Sequence, residues 1–348
     1  MKGNEALAEA AIRAGCRHFF GYPITPQTEV AAYMAKKMPK IGGVFLQAES
    51  EVASINMVYG AAGAGARVMT SSSSPGISLM SEGISYLAAS DLPCVIINIV
   101  RSGPGLGGIQ PSQADYFQAT KGGGHGDYRL LVYAPSSVQE LVDLTQMAFD
   151  KSDKYRVPAL ILGDGMLGQM MEPVSFKDTD ISTLPEKPWA TTGHKNKRFK
   201  NIVNSLHIEP TDLEPIIVER YERYEEIKKN EVMVETEGTE DADIVLVAFG
   251  TMARVCKNAM LKLREEGIKV GLVRPITLWP FPSEEINKIA DNCKAMLSVE
   301  MSTGMMVEDV KLAVENKVPV HFFGRYGGTV PLPAEVIDAV KKLAGGIK

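Results

Sequence analysis

The chain contains 348 residues, which is more than a single hydrophobic core usually serves, so two domains are expected. Apolar residues make up 45% and charged residues 23%, as in ordinary globular proteins, and the net charge of −5 argues against a nucleic-acid-binding protein, whose surface should be basic. The longest apolar run falls far short of the ~20 residues of a membrane-spanning helix, and the N-terminal residues lack the hydrophobic region of a secretory signal.

The four cysteines are widely separated and form no CxxC motif. They are Cys16, Cys94, Cys256 and Cys293. This spacing is typical of reduced thiols and predicts a cytoplasmic protein. It does not supply the closely spaced thiolates of an iron–sulfur or structural zinc site, so no metal site is predicted on this chain.

Roughly the first 170 residues alternate between helix and strand patterns. Asn4 can cap a first helix that Gly15 ends, and Thr25-Pro26 is predicted to open a second helix with proline at its first position. The predicted strands lie at 18–22, 44–47, 67–71, 93–100, 129–134 and 158–163. They are continuously apolar, as parallel strands buried on both faces are. The pattern predicts an α/β fold with a doubly wound parallel sheet, assigned to a first domain over 1–185.

The polarity of the sequence changes after the sixth strand. Residues 188–201 are polar and basic, and 219–231 has the charge pattern of an exposed helix. The range 186–238 is therefore predicted to be a connector with one charged helix. A second alternation follows, with predicted strands at 244–250, 270–275, 295–300 and 318–324. Residues 239–348 are assigned to a second, smaller α/β domain.

Polar residues follow several predicted strands of the first domain. The turn GYPITP holds Thr25 between two prolines, the segment QAESE carries Glu49 and Glu51 into a helix, and Arg101 directly follows a strand. Each has an ordinary explanation: a helix cap for Thr25, helix-dipole complementation for the acids, and a surface charge for Arg101. However, ligands of open parallel sheets collect outside the carboxyl ends of the strands. The convergence of these residues at one edge therefore predicts a functional site.

Long motifs across the whole chain resemble one family. They are GYPITP (21–26), LQAESEVASINMVYGAAGAG (46–65), TSSSSPGISLMSEGISYL (70–87), GPGLGGIQPSQADYFQATKGGGHGDYR (103–129) and RPITLWPFP (274–282). With them the chain resembles the alpha subunit of the 2-oxoacid:ferredoxin oxidoreductases, most closely the 2-oxoisovalerate (branched-chain) type. The resemblance implies a pyrimidine-binding domain for thiamine diphosphate, followed by a domain like the C-terminal domain of transketolase. It also implies oxidative decarboxylation of a 2-oxoacid with coenzyme A to acyl-coenzyme A, CO₂ and reduced ferredoxin.

The resemblance implies one catalytic acid. In thiamine enzymes a glutamate that lies nine residues ahead of a glycine in its helix contacts N1′ of the aminopyrimidine ring. Glu51 stands nine residues before Gly60 and is assigned this role, with Glu49 as its rival. Two residues apart on one helix, these acids would point about 200° away from each other, so only one of them could face the ring.

The resemblance also implies binding residues around that acid. Thr25 matches the threonine that contacts the oxoacid beside the cofactor, and Arg101 matches the arginine that grips the substrate carboxylate with its two-pronged donor. Pro23, Thr25, Glu51 and Ser73 are the residues implied to bind the cofactor.

The resemblance places the rest of the active site on partner subunits. A GDG sequence at 163–165 resembles the start of a thiamine diphosphate–magnesium motif, but the asparagine that completes this motif is missing, so a strand-end turn is predicted there. A beta subunit is implied to carry the diphosphate-binding domain, and Mg²⁺ and the 4Fe–4S clusters are implied to lie on partner chains. Gamma and delta (ferredoxin-like) subunits are compatible with the family, and ferredoxin and coenzyme A are the implied reaction partners.

Several alternatives stay open at this point. Enzymes specific for 2-oxoglutarate or pyruvate share the same motifs. The glycines of 103–108 formally fit the GxGxxG of a nicotinamide-dependent dehydrogenase, although a proline and polar residues follow them instead of a helix. A non-catalytic assembly subunit would keep the domain pair as a scaffold. His125, in a glycine-rich loop, could line the site or the coenzyme A approach, or could be structural.

Overall fold

The computed structural model describes residues 1–346, which form two sheets with helices packed around them. Up to residue 169 the elements are α1 (Gly3–Arg13), β1 (His18–Gly21), α2 (Thr28–Lys37), β2 (Val44–Gln47), α3 (Glu51–Gly63), β3 (Val68–Ser72), α4 (Ser74–Ala89), β4 (Val95–Val100), α5 (Tyr116–Thr120), β5 (Leu131–Tyr133), α6 (Val138–Tyr155), β6 (Ala159–Asp164) and α7 (Gly165–Gln169). From residue 210 onward they are α8 (Pro210–Asn230), β7 (Val234–Glu237), β8 (Ile244–Val247), α9 (Gly250–Glu265), β9 (Val270–Pro275), β10 (Thr277–Trp279), α10 (Ser283–Ala290), β11 (Ala295–Glu300), α11 (Met306–Val314), β12 (Val320–Gly324) and α12 (Pro333–Gly346).

The first sheet has seven strands in the order β10-β5-β6-β4-β3-β1-β2. The pairs among β1 to β6 are all parallel. Every residue of the central strands β3, β4 and β6 is buried, which explains why these segments are apolar throughout. Helix α1 packs on α6, and α3 packs on α4. The predicted doubly wound parallel sheet is confirmed.

The second sheet has five strands in the order β12-β11-β8-β9-β7. Its central strands are parallel, and β7 runs antiparallel to β9 at one edge. Helix α9 begins directly after β8 and buries one face against the sheet. The chain is therefore a mixed α/β protein, as predicted.

Two strands were not foreseen in the sequence. Thr277 and Trp279 of β10 pair with Tyr133 and Val132 of β5, so the RPITLWPFP motif leaves the second sheet and adds an antiparallel edge strand to the first. Strand β7 lies inside the segment that was assigned to the connector. Strand β10 follows β9 after a single residue, and β7 is partly exposed and mostly polar, so neither stood out from its neighbours. The domain division at 185 and 238 stays a prediction.

The start of α2 was predicted incorrectly. The helix begins at Thr28 rather than at Thr25-Pro26. The backbone N–H of Gln27 donates to the Ile24 carbonyl at 3.2 Å, which closes a turn before the helix begins. The exposed helix of the connector was placed correctly but is longer than predicted, since α8 already begins at Pro210.

Buried polar side chains join the two halves of the chain. The Gln113 amide donates to the Phe249 carbonyl at 2.9 Å and accepts from the Met301 N–H at 3.0 Å. The Tyr116 hydroxyl donates to an Asp309 carboxylate oxygen at 2.6 Å. These contacts anchor the segment before α5 to the second sheet. Within residues 1–346, no helix combines the length and the apolar character that a membrane crossing requires.

Candidate active site

Four predicted site residues follow four adjacent parallel strands. Thr25, Glu51, Ser73 and Arg101 come after β1, β2, β3 and β4, which lie in the order β4-β3-β1-β2. Because these strands are parallel, their carboxyl ends meet at one edge of the sheet. The strand order also reverses at β1, since β2 lies on one side of it and β3 on the other. Open α/β sheets bind ligands at such a point.

Burial distinguishes the two candidate acids. Ser50 is the N-cap of α3, and its hydroxyl accepts a hydrogen bond from the Ala53 N–H at 3.2 Å. Glu51 is the first residue of the helix and is only 5% exposed, whereas Glu49 precedes the cap and is exposed. The predicted 200° rotation between them does not apply, because Glu49 lies outside the helix. The Ser50 cap therefore separates the buried Glu51 from the exposed Glu49.

The Glu51 carboxylate lies against the first turn of α4. A Cβ atom placed on Gly76 would be 2.6 Å from Glu51 Oε1 and 2.0 Å from Ser72 Oγ. Only a glycine therefore leaves room for the acid and the hydroxyl together. The first turns of α3 and α4 both present the positive end of a helix dipole, which stabilises a carboxylate.

Two buried hydroxyls near the first turn of α4 have no hydrogen-bond partner among the described residues. Ser72 and Ser73 are fully buried, and neither Oγ atom has a hydrogen-bond partner among the described residues. A buried polar group that lacks a partner costs about 1–3 kcal/mol, so these two hydroxyls are candidates for bonding to a ligand or to water. Ser73 was predicted as a site residue. Ser72 was missed, although the serine run that contains it was recognised.

The structure brings Thr25 and Arg101 together. The Arg101 guanidinium donates from Nη1 to the Thr25 carbonyl at 3.0 Å and from Nη2 to the Leu106 carbonyl at 3.0 Å. Its Nε is buried without a partner among the described residues. Thr25 and Pro23 are exposed, so their side chains are accessible at this edge.

Gln27 connects the Thr25 turn to the serine run through hydrogen bonds, and it was not predicted from the sequence. Its buried side-chain amide donates to the Tyr22 carbonyl at 3.2 Å and accepts from the Ser71 hydroxyl at 2.6 Å. No local pattern could have identified it, because Ser71 is 44 positions away in the chain.

The glycine run at 103–108 folds into a compact loop. The Gly108 N–H donates to the Ser102 carbonyl at 3.0 Å, and the Ser102 N–H donates to the Gln110 carbonyl at 3.0 Å. The next helix, α5, begins only at Tyr116. A dinucleotide fingerprint has to open a helix at its glycines, so the structure gives the dehydrogenase alternative no support.

Asp164 of the GDG sequence caps a helix. Its carboxylate accepts from the N–H groups of Met166 and Leu167 at 2.9 and 3.0 Å, and it also accepts from the Thr251 hydroxyl. Burial raises the pKa of Asp164, and these hydrogen bonds oppose the shift. The GDG sequence therefore ends β6 and begins α7 directly, where a strand-end turn was predicted.

The remaining candidates lie outside this cluster of contacts. His125 is exposed and lies edge-on to the Tyr86 ring, with 6.4 Å between the ring centroids. Its role stays open. The four cysteines are buried and free, and in the described part of the chain no group of three His, Cys, Asp or Glu side chains is placed to hold a metal ion.

Comparison with known proteins identifies the family. Residues 9–237 match the family described as "Pyruvate flavodoxin/ferredoxin oxidoreductase, thiamine diP-bdg", and 242–336 match "Pyruvate:ferredoxin oxidoreductase core domain II". The ketoisovalerate oxidoreductase subunit VorB of Methanothermobacter marburgensis is 49% identical over 99% of this chain and 97% of its own length.

Solved structures share the fold. A 2-oxoglutarate:ferredoxin oxidoreductase from Magnetococcus marinus, with 2-oxoglutarate, coenzyme A and succinyl-CoA bound, matches 98% of this chain with a TM-score of 0.84 and 29% identity. The chain spans 64% of the length of that protein. A split-gene transketolase, an inactive beta4 tetramer, matches all of this chain and 99% of its own with a TM-score of 0.63 at 14% identity, which shows a common fold alone. The chain therefore belongs to the 2-oxoacid:ferredoxin oxidoreductases, a family of oxidoreductases assembled from several subunits.

Proposed function

We propose that this chain is the alpha subunit of a thiamine diphosphate-dependent 2-oxoacid:ferredoxin oxidoreductase. The enzyme would oxidatively decarboxylate 2-oxoisovalerate or a related branched-chain 2-oxoacid with coenzyme A, giving acyl-coenzyme A, CO₂ and reduced ferredoxin. One observation carries the proposal: the buried Glu51 carboxylate lies against Gly76 beside the Ser72 hydroxyl, and the hydroxyls of Ser72 and Ser73 have no partner among the described residues.

These residues fit the aminopyrimidine end of thiamine diphosphate. They offer a buried carboxylate that can accept a hydrogen bond, hydroxyls without a partner among the described residues, and a glycine that leaves space. Bound there, the cofactor supplies the nucleophilic carbon and the electron sink that decarboxylation requires. Glu51 would hold the proton at N1′ of the ring, while Pro23, Thr25 and Ser73 would contact the cofactor around it.

Arg101 would bind the substrate carboxylate beside Thr25. A guanidinium has five N–H donors, and the Thr25 and Leu106 carbonyls use only two of them. The others can pair with a carboxylate, and the Nε–H has no partner among the described residues. This arrangement orients the oxoacid relative to the Thr25 turn.

The surroundings of Arg101 favour an apolar substrate. The loop whose Leu106 carbonyl holds the guanidinium exposes two apolar side chains, Leu106 at 83% and Ile109 at 59%. A branched hydrocarbon tail can pack on such a surface, whereas a second carboxylate would lose hydration there. The name of the 49% identical ketoisovalerate oxidoreductase subunit supports the same substrate.

Partner subunits would complete the site. We propose that a beta subunit binds the diphosphate and Mg²⁺, and that 4Fe–4S clusters on partner chains pass electrons to ferredoxin. Relatives named as subunits of oxidoreductases support an assembly of several chains. Gamma and delta subunits and the cytoplasmic location stay predictions.

Gly76→Ala tests whether the position of Glu51 matters. The added methyl group would displace the Glu51 carboxylate and the Ser72 hydroxyl, both of which end flexible side chains, so the fold should survive. We expect the turnover of the assembled enzyme to fall roughly 10- to 100-fold, the range that a displacement of about 1 Å can cause. Gly345→Ala is the matched control, since no atom of the other described residues lies within 4 Å of its added Cβ, and it should keep full activity. Full activity of Gly76→Ala would mean that Glu51 is not held in place by this contact.

A substrate panel tests the proposed function. The chain should be co-purified with its partner subunits and assayed with 2-oxoisovalerate, 2-oxoglutarate and pyruvate, with coenzyme A and a viologen dye as electron acceptor. We expect the highest kcat/KM for 2-oxoisovalerate and no turnover by the chain alone. A preference for 2-oxoglutarate or pyruvate would overturn the substrate assignment, and nicotinamide reduction in place of viologen reduction would overturn the reaction.

A further inference from the structure

One side chain bonds both backbone polar groups of Arg101, which also forms an antiparallel bridge with Pro111. The Arg101 N–H donates to the Ser74 hydroxyl at 3.1 Å, and that hydroxyl donates to the Arg101 carbonyl at 3.2 Å. Ser74 is the first residue of α4, immediately after Ser73. It therefore connects the first turn of α4 to the residue that carries the guanidinium.

Asn98 holds Ser74 in turn. Its side-chain oxygen accepts from the Ser74 N–H at 3.1 Å, and its Nδ2 donates to the Asp115 carboxylate at 2.8 Å. Asn98 is on β4 and is only 1% exposed, so solvent does not compete for either of these two hydrogen bonds. Burial raises the pKa of Asp115, and the hydrogen bond from Asn98 opposes that shift.

Asp115 is positioned from the second sheet. It occupies the N-cap position of α5, but its side chain accepts no capping hydrogen bond and reaches Asn98 instead. On either side of it, the Gln113 N–H donates to the Met301 carbonyl at 2.9 Å and the Tyr116 hydroxyl donates to Asp309. The second domain thus fixes the segment that presents this carboxylate.

We propose that Asp115 and Asn98 are positioning residues that set the backbone of Arg101 through Ser74. By this route the second domain determines where the substrate-binding guanidinium lies. The inference rests on the proposed role of Arg101 in binding the oxoacid carboxylate.

Reversing the hydrogen bond between Asn98 and Asp115 tests the proposal. Asn98→Asp places two carboxylates against each other, while Asp115→Asn keeps an oxygen that can accept from Asn98. In the double variant Asn98→Asp/Asp115→Asn, a new amide donates to a new carboxylate, so both hydrogen bonds of residue 98 are restored. We expect the KM for the oxoacid to rise roughly 10- to 100-fold in Asn98→Asp with kcat within about threefold. Both Asp115→Asn and the double variant should stay within about threefold of wild type.

Hydrogen exchange gives a readout that does not depend on turnover. The Arg101 amide should exchange faster in Asn98→Asp and regain protection in the double variant, in the assembled complex. If Asn98→Asp does not fold, Asp115→Ala removes the acceptor alone and should show the same direction in both measurements. Asn287→Asp is the matched control, because it removes a 2.8 Å bond from Asn287 to the Ala313 carbonyl in the second domain. It should change neither KM nor the exchange of the Arg101 amide.

Two results would overturn the proposal: an unchanged KM and unchanged Arg101 exchange in the folded single variant, or a double variant that is no better than Asn98→Asp. If the wild-type complex turns over no 2-oxoacid, the proposed function fails by itself. The exchange measurement then still decides whether Asn98 and Asp115 hold the Arg101 backbone.

Discussion

Glu51→Gln should abolish most of the turnover of the assembled enzyme while leaving folding and assembly intact. The amide keeps the shape of the side chain but cannot hold the N1′ proton, and loss of a positioned acid–base group typically costs about 100- to 10,000-fold in rate. The side chain is buried at the first turn of α3, against the first turn of α4, so solvent cannot easily replace it. Acyl-coenzyme A formation by the complex is the measurement.

Glu49→Gln is the control for this variant. Glu49 is exposed and lies before the Ser50 cap, so its change should affect stability by no more than about 0.5 kcal/mol and leave the rate near that of wild type. A Glu49 variant that loses turnover while the Glu51 variant keeps it would reverse the assignment. Unfolding curves of both variants distinguish a lost catalytic group from a lost fold.

Arg101→Ala should lower kcat/KM for the oxoacid roughly 30- to 1,000-fold, corresponding to about 2–4 kcal/mol for a lost charge-assisted pair. Most of the effect should appear in KM, because the contact to the carboxylate already exists in the ground state. The variant also loses the hydrogen bonds to the Thr25 and Leu106 carbonyls, so the two loops at this edge should become more mobile. Steady-state kinetics over a series of oxoacid concentrations measure both parameters.

Arg101→Lys separates charge from geometry. A lysine restores the positive charge but offers a single ammonium in place of a planar fork, so the rescue should be partial. Full rescue would mean that charge alone binds the substrate. Unchanged kinetics in Arg101→Ala would show that another residue binds the carboxylate.

Much of the fold could be predicted from the sequence because its strands are continuously apolar and its turns contain glycine and proline. The prediction was wrong or incomplete where contacts between residues far apart in the sequence determine the structure. The Thr25-Pro26 pair looks like a helix start, but a turn closed by Gln27 delays the helix to Thr28. Thr277–Trp279 joins the first sheet through pairing with a strand more than a hundred positions away, which no local pattern encodes.

The site shows the same division between local and distant information. Four site residues stand in motifs that can be recognised from a single sequence, and the structure places them at one edge of the sheet. They are Thr25, Glu51, Ser73 and Arg101. Their roles stay predictions. The residues that support them carry no motif of their own. Asn98 interrupts an apolar strand, and only its buried hydrogen bonds with Ser74 and Asp115 indicate that it positions other residues.

We propose that Glu51 of this chain activates the aminopyrimidine ring of a cofactor that is shared with a partner subunit. The most direct test is hydrogen–deuterium exchange at C2 of the thiazolium ring in the assembled complex, compared among wild type, Glu49→Gln and Glu51→Gln. We predict rapid exchange in wild type and Glu49→Gln, and exchange slowed roughly 100-fold or more in Glu51→Gln. Slow exchange in the Glu49 variant together with normal exchange in the Glu51 variant would show that Glu49, and not Glu51, activates the ring.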